Sequence, residues 1–179
     1  MKFQPSHRRT AVVLFCGLIL NALAGQANYS LSPYAVSLWI GGLLVAFPAL
    51  RLAPQQGFNA SFLLGLFLDA SSPLPFGFHA FLFGVAHLII VRVRNRFAAT
   101  EPLLGLVVAL ITNLGMFVII TFFALSRTPG ASVSGLRLLT DLAVSQIAIG
   151  LTAYWFFALQ ERALEIVRVG LRDEVTAAM

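Results

Sequence analysis

Six apolar runs follow one another between residues 10 and 160, and the charged residues are gathered mainly into the short gaps between them. An α-helix rises about 1.5 Å per residue, so about 20 apolar residues cross the hydrocarbon core of a bilayer. The runs read as spans near 10–27, 33–50, 57–72, 76–92, 102–125 and 138–160. Proline, glycine and polar residues punctuate them, as in Ser32-Pro33, Pro54-Gln55-Gln56-Gly57, Glu101-Pro102 and Arg127-Thr128-Pro129-Gly130. With 59% hydrophobic residues and only 11% charged ones, the chain has too few charged side chains to cover a water-soluble globule. The expected fold class is an all-α polytopic membrane protein with six short transmembrane helices and no sizeable soluble domain.

The distribution of charge fixes the expected orientation. With the N-terminus inside, Lys2, Arg8, Arg9, Arg51, Arg92, Arg94, Arg96, Arg162, Arg168 and Arg172 fall in cytoplasmic segments, and only Arg127 and Arg137 fall outside. That bias follows the positive-inside rule and makes both termini cytoplasmic. Runs three and four are short, and a re-entrant hairpin would satisfy the same rule. The first run also has the layout of a signal peptide, but the next apolar run follows so closely that a retained helix is the expectation. The net charge of +5 does not indicate a nucleic-acid partner, because the positive charges lie in separate clusters and form no single patch. In the tail, residues 161–179, Leu164, Val167, Leu171 and Val175 share one helical face. That face either continues the last span as a solvated helix or lies on lipid or a partner.

No catalytic constellation is present in the sequence. It contains no H-E-x-x-H, no structural-zinc spacing and no glycine-rich phosphate loop, and the single Cys16 excludes an intrachain disulfide. Ser37, Ser61 and Ser145 have no evident base at the same depth. No catalytic, cofactor-binding or metal-binding residue is therefore assigned, and no cofactor is expected. What stands out is polar residues within apolar runs: Asn21, Asn59, Asp69, His79, His87, Asn113, Asp141 and Gln146. Ionisable groups at membrane depth usually face protein and have a partner.

The segment "GLFLDASSPLPFGFHAFLFG", residues 65–84, supplies one such pair. A hairpin turning near Leu74 places Asp69 and His79 at similar depth on either side of the turn, within reach of a hydrogen bond or ion pair that relieves the desolvation of the acid. The pair can act as a clamp between two short helices, as part of a partner-binding surface, or in ligand or proton handling. Ala80 and Gly84 form a small-xxx-small pair, and Gly105, Ala109 and Asn113 form a stripe ending in an amide; such stripes allow close helix approach in lipid. His87 reads as a packed or snorkelling residue near Arg92, and Asp141 as a partner of Arg137 one turn earlier. Tyr29, Tyr34, Tyr154 and Trp155 fit interfacial anchors, whereas Trp39 is expected to pack inside.

The stretch "GFNASFLLGLFLDASSPLPFGFHAFLFGVAHLIIVRVRNRF" resembles the central signature of the rod shape-determining protein MreD family. Gly57, Gly65, Leu66, Asp69, Gly77, Ala80 and the basic, aromatic "RVRNRF" occupy the matching places. Position 79 is often basic in that family, and histidine there carries only conditional charge. The resemblance implies a non-enzymatic scaffold subunit of the cell-elongation complex in the bacterial inner membrane. It would bind the MreC membrane helix, with the MreB filament and RodA with its penicillin-binding transpeptidase as direct or indirect partners. Structural or partner-binding roles then fall to Gly65, Asp69, Gly77, His79, Ala80, Gly84 and Asn113. The MreD fold is similar to the S component of energy-coupling-factor vitamin transporters, so a substrate-binding S component is the alternative. Against it, the first span lacks the Ala-x-x-x-Ala pair that such proteins use to dock their coupling subunit.

Overall fold

The computed structural model describes residues 5–94, 102–127 and 134–167, and there the chain is helical with no strand. Six α-helices occur in order: α1 (Pro5–Leu31), α2 (Gly41–Arg51), α3 (Pro54–Ala70), α4 (Phe78–Arg94), α5 (Pro102–Arg127) and α6 (Gly135–Ile166). A single 3₁₀ turn, Ser32–Tyr34, follows α1. Pro54 stands at the start of α3, where the missing N–H costs nothing and the fixed φ favours the helix.

The helices differ in length, and length decides their roles. α1, α5 and α6, of 27, 26 and 32 residues, are long and apolar enough to cross a membrane. α3 and α4 have 17 residues each, or about 25 Å of helix, close to the lower limit for a span. α2 has only 11 residues, about 16 Å, and all its residues from Gly41 to Leu50 are buried. It forms the centre of the bundle, packed against α3, α4 and α5. α3 pairs most extensively with α4, while α1 lies along α3 and touches α6, which in turn packs on α5.

The helix expected over 33–50 is therefore corrected: only its second half is α-helical, and residues 36–40 have no regular secondary structure. Pro33 lies within the 3₁₀ turn, and Ala35 ends it in the left-handed region with φ 54°. Four amides that a continuous helix would bond internally are instead taken by side chains from other helices. Asp141 Oδ1 accepts from Ser37 N at 2.8 Å, Asn28 Oδ1 from Leu38 N at 2.6 Å, and Ser145 Oγ from Trp39 N at 2.9 Å. Asn113 Oδ1 accepts from Gly42 N at 3.1 Å, inside the first turn of α2. Asn28 Nδ2 also donates to Leu38 O at 3.0 Å. Non-helical backbone in an apolar surrounding survives only when its polar groups find partners, and here α1, α5 and α6 supply them.

The core gathers around α2. Leu43, Leu44, Val45 and Phe47 pack with Val13, Leu64, Phe83 and Ile149, all but completely buried. Large apolar side chains also cover the outside. Leu103, Val107, Ile111, Val118 and Phe122 form a stripe along α5, and Leu136, Leu139, Ile147, Leu151 and Trp155 lie exposed on α6. So extensive an apolar exterior suits lipid and not water; the protein is a membrane protein. Of the amphipathic tail, Leu164 is buried and Val167 exposed, while Leu171, Arg172 and Val175 lie outside the described residues, as do Lys2, Arg96 and Phe97.

Candidate functional site

The hairpin of α3 and α4 begins with a close contact between small residues. A Cβ placed on Gly65 would lie 2.5 Å from Ala80 Cα and 2.8 Å from the carbonyl carbon of His79. Only glycine permits that approach, and it brings the end of α3 against the start of α4. Gly77 adopts φ +95°, a conformation open to glycine but strained for other residues, and so lets the chain reverse into α4.

That reversal delivers the first turn of α4 to Asp69. Gly77 N and Ala80 N donate to Oδ2 at 3.0 and 3.1 Å, and His79 N donates to Oδ1 at 2.9 Å. The contact expected across the hairpin is also present, with His79 Nδ1 at 2.8 Å from Oδ1. Phe78 N and Phe81 N bond to Pro75 O and Gly77 O. The N–H groups that a helix start leaves open are thus satisfied. Asp69 acts as an N-terminal cap supplied from the preceding helix, where a carboxylate also complements the positive end of the helix dipole. Both residues are buried, Asp69 at 4% exposure and His79 at 3%.

Ala80 and Gly84 do not share one neighbour. Ala80 meets Gly65, whereas a Cβ on Gly84 would be 3.2 Å from the ring of Phe58. The α5 stripe divides likewise: Gly105 abuts Phe157 of α6, while Ala109 and Asn113 press on Gly42 of α2. Asn113 thereby both permits the close approach and caps the helix it approaches.

At the opposite end of the hairpin, His87 is fully buried and does not snorkel. Its Nε2–H donates to Pro54 O at 3.0 Å, leaving Nδ1 to accept from Ser61 Oγ at 3.4 Å. The expectation that Ser61 lacks a base nearby is thus corrected. The base is there, but both side chains are sealed from solvent and the contact ties α3 to α4. Arg94 donates from Nη1 to Ala49 O and Leu52 O, both at 2.8 Å, and so closes the C-terminal end of α2. Arg51 pairs with Glu161 of α6 at 3.2 Å.

Asp141 does not pair with Arg137; its carboxylate turns to Ser37 N. The i, i+4 spacing offered Arg137 as a partner, but an exposed ion pair is worth little beside a half-buried amide without an acceptor. Gln146 links α6 to α5 through Leu110 O at 3.1 Å, while Asn59 is exposed. Asn28, which the sequence did not single out, and Arg94, which it marked only as a cytoplasmic charge, both carry weight here. The available signal for Asn28 was its position seven residues after Asn21, on the same face of α1. Tyr29, Tyr34, Tyr154 and Trp155 are all exposed, and Trp39 packs on His79 and Phe83.

Chemically, the Asp69 carboxylate is occupied by four hydrogen-bond donors of its own chain. Among the described residues no three His, Cys, Asp or Glu side chains come together as a metal site would need. Compared with known proteins, the chain matches no family model, no curated protein and no solved structure at a significant level.

Proposed function

We propose that this protein is a non-enzymatic scaffold subunit of the MreD kind in a bacterial cytoplasmic membrane. In this reading the chain crosses the membrane six times with both termini in the cytoplasm, the second crossing being the non-helical segment followed by α2. It packs against the membrane helix of MreC and couples MreB filaments to RodA and its transpeptidase during side-wall synthesis.

One observation carries the reading. Four of the residues on which the MreD resemblance rests, Gly65, Asp69, Gly77 and Ala80, converge on a single structural device, the capped α3–α4 turn, while Gly57 packs against Pro48 and His87 at the other end of the hairpin. Each has a structural duty there, so the signature describes how a short hairpin is held together in lipid. The apolar stripes of α5 and α6 leave ample surface for another membrane helix. In the same reading the hairpin turn faces the periplasm, and Arg51 and Arg94 lie at the cytoplasmic end.

The test is photocrosslinking from positions on the hairpin and on the exposed faces of α5 and α6, in membranes of a rod-shaped bacterium that expresses the chain. Recovery of MreC as a specific adduct supports the scaffold. Efficient crosslinking that never captures MreC, RodA or the transpeptidase overturns it.

A further inference from the structure

A groove of about 470 Å³ runs between α5 and α6 and ends at the Arg51–Glu161 ion pair. Leu103 and Leu106 of α5 and Ala153, Phe157 and Ala158 of α6 give it apolar walls. Gly150 leaves its far end open, since a Cβ added there meets nothing within 4 Å. Leu103 and Tyr154, which also line it, are exposed, so the groove opens onto the apolar outer face of the bundle.

Length and polarity describe the occupant. The groove follows α6 from Gly150 to Glu161, about 16 Å of helix. The hydrocarbon core of a bilayer is about 30 Å thick, so each leaflet fills about 15 Å of it with acyl chain. An apolar trough one leaflet deep, with charge at one end only, matches the build of a single lipid. A partner helix would cross the whole core and meet Arg51 and Glu161 as a polar obstacle in its path. An acyl chain ends where they begin.

The ion pair narrows the headgroup. The side chains of Arg51 and Glu161 are 23% and 40% exposed, so a headgroup can reach both. A guanidinium has five N–H donors around its edge and can hold a carboxylate and a phosphate together. Glu161 sets an anion beside that phosphate position and asks for a cation in return, which a lipid of net negative charge lacks. A primary ammonium answers it with N–H donors in a charge-assisted hydrogen bond, whereas a quaternary ammonium has no N–H to give. We propose that this groove holds an acyl chain of phosphatidylethanolamine, with the lipid phosphate on Arg51 and its ammonium on Glu161. The site needs only that its charged end lie at a membrane surface, and it does not rest on the scaffold reading.

Native mass spectrometry of the full chain, released from detergent and titrated with phosphatidylethanolamine, phosphatidylcholine and phosphatidylglycerol of identical acyl chains, tests the proposal. One saturable phosphatidylethanolamine adduct is expected, about tenfold tighter than either of the others. Glu161→Gln keeps the side-chain shape and removes the charge, and is expected to abolish the preference for ethanolamine over choline. Gly150→Leu fills the groove from an exposed position on α6 and is expected to remove the adduct, while thermal unfolding shows the protein still folded. Gly115→Leu, at an exposed position on α5 outside the groove, leaves lipid binding unchanged. Absence of a saturable adduct overturns the proposal, as does equal or tighter binding of the choline or glycerol lipid to the unaltered chain. Adducts that survive Gly150→Leu also overturn it, and so does a dimer that Gly150→Leu dissolves, which would seat a second copy in the groove.

Discussion

The carboxylate of Asp141 accepts the backbone N–H of Ser37 at 2.8 Å, across 104 residues of sequence. With Asn28 and Ser145, it holds the chain out of helical conformation just before α2. An acid in α6 therefore sets the backbone conformation of a segment between α1 and α2.

This arrangement predicts a graded response. Asn28→Ala leaves both the N–H and the carbonyl of Leu38 without their partner, and should cost about 2 kcal/mol. Asp141→Asn retains an acceptor and should cost less than Asp141→Ala. Thermal unfolding in detergent ranks the variants, and Trp39 emission in a Trp155→Phe background should shift to the red as the segment loosens.

Replacing Asp69 by alanine removes the acceptor for three amides and one imidazole at once. A loss of about 3 kcal/mol or more is expected, since each buried donor left unpaired costs about 1–3 kcal/mol before any local relaxation. Asp69→Asn keeps one oxygen and should lose roughly half as much. Steady-state protein level in membranes and unfolding temperature should fall in that order, and equal behaviour of both variants would contradict the capping role.

At His79, sign matters more than shape. His79→Arg places a cation beside Asp69, with an adjoining cavity to take the extra length, and should be tolerated. His79→Asp sets two carboxylates in contact in a buried site, where one must take a proton or the hairpin must open. Membrane levels of the two proteins, compared with wild type, decide the matter: similar levels for Arg and Asp would remove the pairing.

Gly65 and Gly84 look alike in sequence but should respond differently. Gly65→Ala drives a methyl against the backbone of Ala80, which cannot yield without separating α3 from α4. A cost of about 2 kcal/mol or more is expected. Gly84→Ala meets only the edge of the Phe58 ring, which can shift, and the alanine gains helix propensity. Unfolding midpoints should therefore drop for the first and stay nearly level for the second.

Arg94→Ala frees two carbonyls at the end of α2 and should cost about 1–3 kcal/mol. Arg94→Lys still supplies a charge, but its ammonium lacks the planar fork, so an intermediate loss is expected. Hydrogen exchange at the end of α2 should rise in the order wild type, Lys, Ala.

Much of the fold was legible in the chain because lipid imposes strong periodic demands. Six helices, the approximate limits of all but the second, and the membrane environment follow from run length and from proline and glycine placement. The Asp69–His79 contact was also within reach, because its partners lie ten residues apart across one turn and local geometry almost fixes their meeting. Ser61 and His87 were harder: both positions were visible, but not that 26 residues of hairpin return one to the other.

By itself, then, the sequence determined which stretches are apolar enough to become helices and where the α3–α4 hairpin turns, for these depend on neighbours along the chain. Only the tertiary structure decided that residues 36–40 stay out of helix and that α2 becomes a buried core rod. The choice between helix and non-helix there is made by hydrogen-bond partners on α1, α5 and α6. An amide takes whichever acceptor the folded bundle brings to it, and no local pattern around Ser37 or Trp39 names Asp141 or Ser145.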